Sequence, residues 1–248
     1  MEFDAAFLAP AWLSVAVASS KDGARPALDR TVCLEQFEAG MRITATDSYL
    51  LLTAWVPALD CEFDEPPELD ERPVATAVAI DRHGRARGLL GHALGLVAEA
   101  AKAKTGERFV MQVRLGWVDA VDVDDRVSFA GMDPSFVVLE LPDRERVKLR
   151  VFEGGFPSWR SILTGFKAKR TGAIALSPER VEQLAHLAKR QAATDPIRFE
   201  LGGTSKGVRV SVANTTIEGI VMPVRWDFDI DGPRDDEAPN SDGETADG

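Results

Sequence analysis

Two cysteines, three histidines and a single tyrosine are few for a chain of 248 residues, and each scarcity closes a class of function. Cys33 and Cys61 have no CxxC spacing, so neither a disulfide framework nor a zinc site is implied, and a reducing cytoplasm is the default compartment. His83, His92 and His186 are scattered and no serine sits in G-x-S-x-G. Metal and nucleophilic catalysis therefore lack their residues, and the chain reads as a non-enzymatic protein without cofactor. Long apolar runs are missing too. The longest, residues 5 to 18, carries Pro10 and is shorter than the roughly 20 residues a membrane span needs. It also lacks the basic start and small-residue cleavage site of a signal peptide, so it reads as a buried helix and no membrane partner is expected.

Cations are the minority charge, 29 Lys and Arg against 40 Asp and Glu. The imbalance is concentrated: residues 227–248, "DFDIDGPRDDEAPNSDGETADG", hold nine acids and one base, Arg234, which leaves the body of the chain only mildly acidic. With so few apolar side chains that tail cannot offset its ordering entropy and is expected to be disordered. Its Asp227-x-Asp229-x-Asp231-Gly232 run imitates the first half of a calcium loop, but Ala238 stands where the bidentate Glu belongs and Pro233 follows the glycine. In "GLLGHALG", Gly88, Gly91 and Gly95 miss the spacing of a dinucleotide fingerprint and are expected to pack a helix against a sheet.

What is present is an alternation of short periodic segments. Helices are predicted at residues 6–19, 85–104, 157–166 and 177–192, the last opened by Ser177-Pro178-Glu179, an N-cap followed by proline in the first turn. The rest reads as strands, giving an α+β chain in which one strand, one helix and about three strands recur around residues 1–57, 74–152 and 172–226. Such units join sheets edge to edge and can curve into a closed ring with helices inside and sheets outside, which removes exposed edges.

Four stretches in order, "ASSKDGARPALDRTVCLE", "MRITATDSYLLL", "VFEGGFPSWRSIL" and "GIVMPVRW", resemble the DNA sliding clamp, the β subunit of bacterial DNA polymerase III, in a shortened form of bacterial or phage type. The resemblance implies a DNA-clamp fold of repeated strand-helix-three-strand units, with helices lining a ring and antiparallel sheets outside. It divides the chain into a first clamp domain of two units at 1–155, a second, shortened domain at 156–226, and the acidic tail. It also implies a pocket for short linear peptides of replication proteins, formed here by Thr46, Asp47, Ser48, Tyr49, Leu50 and Leu51 with Val221, Met222, Pro223 and Val224. Tyr and Met surface suits apolar peptide anchors. Ser48 replaces the family's glycine and Tyr49-Leu50 its polar or basic pair, so the pocket is expected to be more apolar. On residues alone, Tyr49, Leu50 and Leu51 read equally well as strand positions alternating between core and surface.

The implied partners are double-stranded DNA held without sequence preference, a replicative polymerase, a clamp loader and further copies of the chain. Candidate DNA-facing cations are Lys21, Arg25, Lys102, Lys104, Arg160, Lys167, Lys169, Arg170, Arg180, Lys189 and Arg190. On the last helix, Val181, Leu184, Ala185 and Ala188 read as the inward stripe, which leaves Arg180, Gln183, Lys189 and Arg190 outward. The first helix has no cation. Three units per chain suggest a tetramer, while a degenerate fourth unit in 156–170 suggests a trimer. The alternative to a ring is a clamp-derived adaptor or decoy that binds partner peptides without encircling DNA. Phe228 and Ile230 are spaced like alternate anchors of an extended peptide, which allows the tail to fold back on the pocket.

Overall fold

The computed structural model describes residues 1–21, 24–25, 27–61, 66–102, 110–118, 136–142, 145–167, 174–191, 196–202, 207–213 and 215–224. Its first element, β1 (Glu2–Asp4), runs straight into α1 (Ala5–Val15), where the Asp4 carboxylate accepts from the Ala6 N–H at 2.9 Å and caps the helix. A 3-10 turn (Ala16–Ala18) follows, then the antiparallel β2 (Thr31–Phe37), β3 (Gly40–Thr46) and β4 (Leu50–Pro57). The pattern repeats as β5 (Ala75–Ile80), α2 (Arg85–Lys102), β6 (Gln112–Val118), β7 (Phe136–Glu140) and β8 (Arg146–Val151). The short α3 (Arg160–Thr164) is followed by α4 (Pro178–Gln191), β9 (Ile197–Leu201), β10 (Val208–Val212) and β11 (Glu218–Val221).

All eleven strands among the described residues form one antiparallel sheet in the order β1-β6-β7-β8-β5-β2-β3-β4-β11-β10-β9. The first two units exchange strands: β1 pairs with β6 of the second, and β5 with β2 of the first. The third unit joins them through β4 and β11. That junction is close because Gly219 lies against the Leu51 carbonyl, where any Cβ would overlap it. Of the predicted third unit's first segment only residues 174–177 are among the described residues; they are assigned to no strand, and the Val224 N–H donates to the Ala175 carbonyl at 2.9 Å.

Helix starts follow local chemistry. The Ser177 hydroxyl accepts from the Arg180 N–H at 3.3 Å, as the Ser-Pro-Glu signature predicts. Buried Asp81 caps α2, accepting from the N–H groups of Ala86 and Arg87 at 3.2 and 3.3 Å, and Gly84 turns the chain between them at φ +65°. Central in the helix layer is α1, packed against α2 on one side and α4 on the other. Its residues Leu8, Trp12 and Val15 meet Leu34, Ile43, Leu50 and Leu52 of the sheet and Leu90 of α2 in the main core.

Two expectations about helix faces are corrected. Gly88, Gly91 and Gly95 do not pack α2 on the sheet: they face open space, while Ala86, Leu89, Leu90 and Ala93 make the contact. On α4 the buried pair is Leu184 and Leu187, seated against Leu52, Ile197, Val210 and Val212, whereas Val181 and Ala185 are exposed. The leucines bury the larger apolar area, and their packing turns the helix away from the stripe that Val181 and Ala185 suggest.

Candidate peptide-binding site

The β3–β4 turn is built by its own side chains. Asp47 Oδ1 accepts from the N–H groups of Tyr49 and Leu50 at 2.9 and 2.8 Å, and the Thr46 hydroxyl accepts from the Ser48 N–H at 3.1 Å. This pulls Ser48 into the left-handed region at φ +79°. Two arginines brace the turn. Arg25 donates to the Ser48 hydroxyl at 2.7 Å, and Arg180, at the start of α4, pairs with Asp47 Oδ2 at 2.7 Å with its guanidinium 5.9 Å from the Tyr49 ring centre. The lone tyrosine thus stands at a turn tip made rigid by the Asp two residues before it.

Alternation along β4 sends Leu50 and Leu52 to the helix side and Tyr49 and Leu51 to the outer face. Across the junction Leu51 pairs with Ile220, and the Met222 N–H donates to the Tyr49 carbonyl at 2.7 Å, so Tyr49 and Met222 are the next opposed pair on the same face. The two rows differ in cover. Leu51 and Ile220 are buried with Trp159 and Leu163, flanked by Phe156 and Phe166, because the segment leading into α3 crosses the outer face here. Tyr49 and Met222 are left 59% and 40% exposed, and Gly207 beyond Met222 adds no side chain, with its would-be Cβ 3.6 Å from the methionine sulfur. The result is an apolar ledge beside a covered row, rimmed by Arg25 and Arg180.

Of the residues the sequence named for this pocket, Ser48, Tyr49, Met222 and Val224 are exposed and Pro223 is half-buried. Leu51 and Thr46 are buried beneath the outer face, and Leu50 and Val221 belong to the core on the helix side. Sequence reasoning assigned no pocket role to Phe156, Trp159, Leu163 or Phe166, although the motif "VFEGGFPSWRSIL" carries three of them. Their apolar spacing was the available signal.

The segment is anchored by charge as well. Arg160 pairs with buried Glu35 at 2.6 Å and lies 4.8 Å from the Trp159 ring centre, while Arg42 donates to the Pro67 carbonyl and faces the other residues of this group. Burial pushes the Glu35 carboxyl up against the opposing pull of Arg160, and burial pushes the Arg42 guanidinium down. Burial likewise raises the Cys33 thiol, which with Cys61 is free. A cleft of about 690 Å³ between this strand and residues 152–160 is lined by Cys33, Glu35, Thr76, Trp159 and Arg160. Of the residues the sequence named for the peptide pocket or for DNA, Arg160 alone lines it.

The candidate DNA-facing cations separate. Lys21, Arg25 and Lys167 are exposed, whereas Arg160 and Arg180 are committed to Glu35 and Asp47. Arg180 is thereby turned to the sheet-side turn, not outward as the helical stripe suggested. Lys104, Lys169 and Arg170, and the side chains of Lys102, Lys189 and Arg190, lie outside the described residues, as do Phe228, Ile230 and the rest of the acidic tail. Arg85 and Arg87, exposed at the start of α2, were not among the named cations. No metal-binding group of His, Cys, Asp and Glu occurs among the described residues, and no described helix is long and apolar enough to cross a membrane.

Two βαβββ units with exchanged strands, continued through a β4–β11 junction into a third, define the DNA-clamp fold. Solved structures that this chain resembles include DNA polymerase III β subunits. The subunit from Pseudomonas aeruginosa superposes with a TM-score of 0.52 at 14% identity, over 91% of this chain and 66% of its own. That from Thermotoga maritima gives 0.53 at 16% identity, over 91% and 65%. A DNA polymerase sliding clamp from Pseudomonas aeruginosa with ligand gives 0.50 at 13%, over 91% and 66%. The chain thus spans just under two thirds of the length of these structures. No protein-family model and no curated protein sequence matches it.

Proposed function

We propose that the protein is a sliding clamp, a non-enzymatic cytoplasmic processivity factor that encircles duplex DNA without reading sequence and tethers a replicative polymerase, delivered by a clamp loader. In this reading residues 1–155 form a complete clamp domain and 156–226 a shortened second one, and copies assemble into a trimeric or tetrameric ring. The observation that carries it is the outer-face ledge of Tyr49 and Met222 at the β4–β11 junction of a clamp fold. There an exposed aromatic and a thioether sit side by side over a rigid turn, as a receptor for short apolar peptides requires.

The test is calorimetric titration of the full chain with a peptide from a clamp-dependent polymerase. Tyr49→Ala is expected to reduce affinity by about tenfold or more. Unchanged affinity would remove the ledge as the docking point. A second reading, an adaptor that binds such peptides without encircling DNA, is supported by one observation: α1 at the centre of the helix layer carries no cation, and Arg180 is spent on Asp47. The two readings part on circular DNA, since a ring is retained on a nicked circle and slides off a linear fragment.

A further inference from the structure

A cleft of about 560 Å³ at the end of β5 is bordered by Arg82, His83 and Arg85 of the β5–α2 turn and by Lys148 and Arg150 of β8. All five are exposed, and Arg85, Lys148 and Arg150 have no ion-pair partner among the described residues. Arg82 reaches Asp29 only at 3.8 Å. Two carboxylates also line the cleft: Asp81, buried and committed to the N–H groups of Ala86 and Arg87, and the exposed Glu153. Four full cations against two carboxylates leave the cleft positive. We propose that it holds the chain's own acidic run, Asp235-Asp236-Glu237, in an intramolecular contact made by charge. The contact needs nothing of the clamp reading.

The sheet sets the cleft and the root of the tail at one end and on one face. Read across the strands, Val221 pairs with Leu50, Leu51 with Thr46, Thr31 with Ile80, Ile80 with Arg150 and Arg150 with Phe136, and Cys33 opposite Thr44 fixes the step between β2 and β3. The last residue of β11 and the floor of the cleft therefore share one lateral row. Faces follow from alternation. Leu149 belongs to the helix-side core, so Lys148 and Arg150 project from the outer face, as Met222 does at the start of the tail.

Reach and charge then select the occupant. From β11 to β5 and β8 the row crosses four and five strand spacings, about 20–25 Å. An unstructured chain of about a dozen residues has a root-mean-square span on the order of 20 Å, and Asp235, Asp236 and Glu237 stand about that far beyond Val224 in sequence. A tether whose typical length matches the gap gives the highest effective concentration at the far end. Dense like charge in a terminal segment suits it to a surface of opposite sign, and a cleft of this volume admits several residues where a single small anion would leave it largely empty. Duplex DNA in a clamp would face the helices, which lie on the opposite side of the sheet.

The experiment is zero-length carbodiimide coupling of the full chain, which joins an amine to a carboxylate in contact, with the linked peptides identified by mass spectrometry. Lys148 is expected to couple to Asp235, Asp236 or Glu237, in a product of single-chain mass whose yield does not change with protein concentration across ~1–50 μM, as an intramolecular contact requires. Raising salt from ~0.05 to ~0.5 M should lower the yield about fivefold or more, because the contact is screened. Asp235→Asn, Asp236→Asn and Glu237→Gln together leave the folded body untouched and should lower it as far. Lys148→Glu should abolish the link, and adding Asp236→Lys should restore it with amine and carboxylate exchanged. An uncoupled Lys148, equal coupling of the run to the exposed Lys167, a product of two chains, or a link that survives neutralisation of the run would each overturn the contact. None of these outcomes bears on peptide binding at Tyr49.

Discussion

Ser48 carries the clearest local strain in the described chain. At φ +79° a serine sits where glycine sits freely, held there by the Asp47 and Thr46 bonds and by Arg25. Ser48→Gly is expected to stabilise the protein by about 0.5 kcal/mol, relief of strain slightly exceeding the lost Arg25 bond and the added backbone entropy. Ser48→Val, β-branched in the same conformation, should cost roughly 1–2 kcal/mol. Urea unfolding of the three proteins checks both signs. Glu35 makes the second residue-scale prediction. Because burial raises its carboxyl above the unfolded-state value, the folded chain keeps that proton over a pH range in which the unfolded chain has released it. Stability from this group therefore falls as pH rises from the usual carboxylate range toward the raised value. In Glu35→Gln that dependence disappears, so the advantage of wild type over the variant shrinks across weakly acid pH. A growing advantage in urea melts across that range would show that the Arg160 pairing outweighs burial.

At the scale of elements, legibility tracked the locality of the cause. The start of α4 is written in Ser177, Pro178 and Glu179, and the β4 alternation in Leu50, Leu51 and Leu52, so both were readable. The face of α4 was not, because Leu184 and Leu187 compete with Val181 and Ala185 for the sheet, and the winner is set by Ile197, Val210 and Val212, which come later in the chain. The covered row of the site was lost for the same reason: Trp159 and Leu163 reach Leu51 and Ile220 only once the segment before α3 crosses the outer face. The exposed glycines of α2 show a failure of another kind, since small residues suggested close packing and instead line open space. A Cβ at Gly91 or Gly95 meets nothing within 4 Å, so Gly91→Ala and Gly95→Ala should each stabilise the protein by about 0.5–1 kcal/mol through helix propensity. Thermal unfolding decides it, and a loss of stability would mean that this face is covered in the assembled protein.

For the whole molecule the controlling facts are a net charge of -11, most of it in residues 227–248, and, among the described residues, few free cations beside the helix layer, since α1 has none and Arg180 is paired with Asp47. On the clamp reading, phosphate contacts made by so few groups would hold DNA weakly and retention would come from topology. Arg85 and Arg87 at the start of α2 and Lys21 after the 3-10 turn that follows α1 are exposed cations beside that layer's helices. The expected behaviour is binding indifferent to sequence, with a log–log salt slope of only about -2 to -3 as two or three phosphates are neutralised. Arg85→Glu with Arg87→Glu should flatten that slope and shorten retention on a nicked circle, while a linear fragment of the same sequence releases the wild-type protein quickly in any salt. Equal release from circle and line would mean that nothing is encircled, and the ledge at Tyr49 would then serve a protein that gathers partner peptides away from DNA.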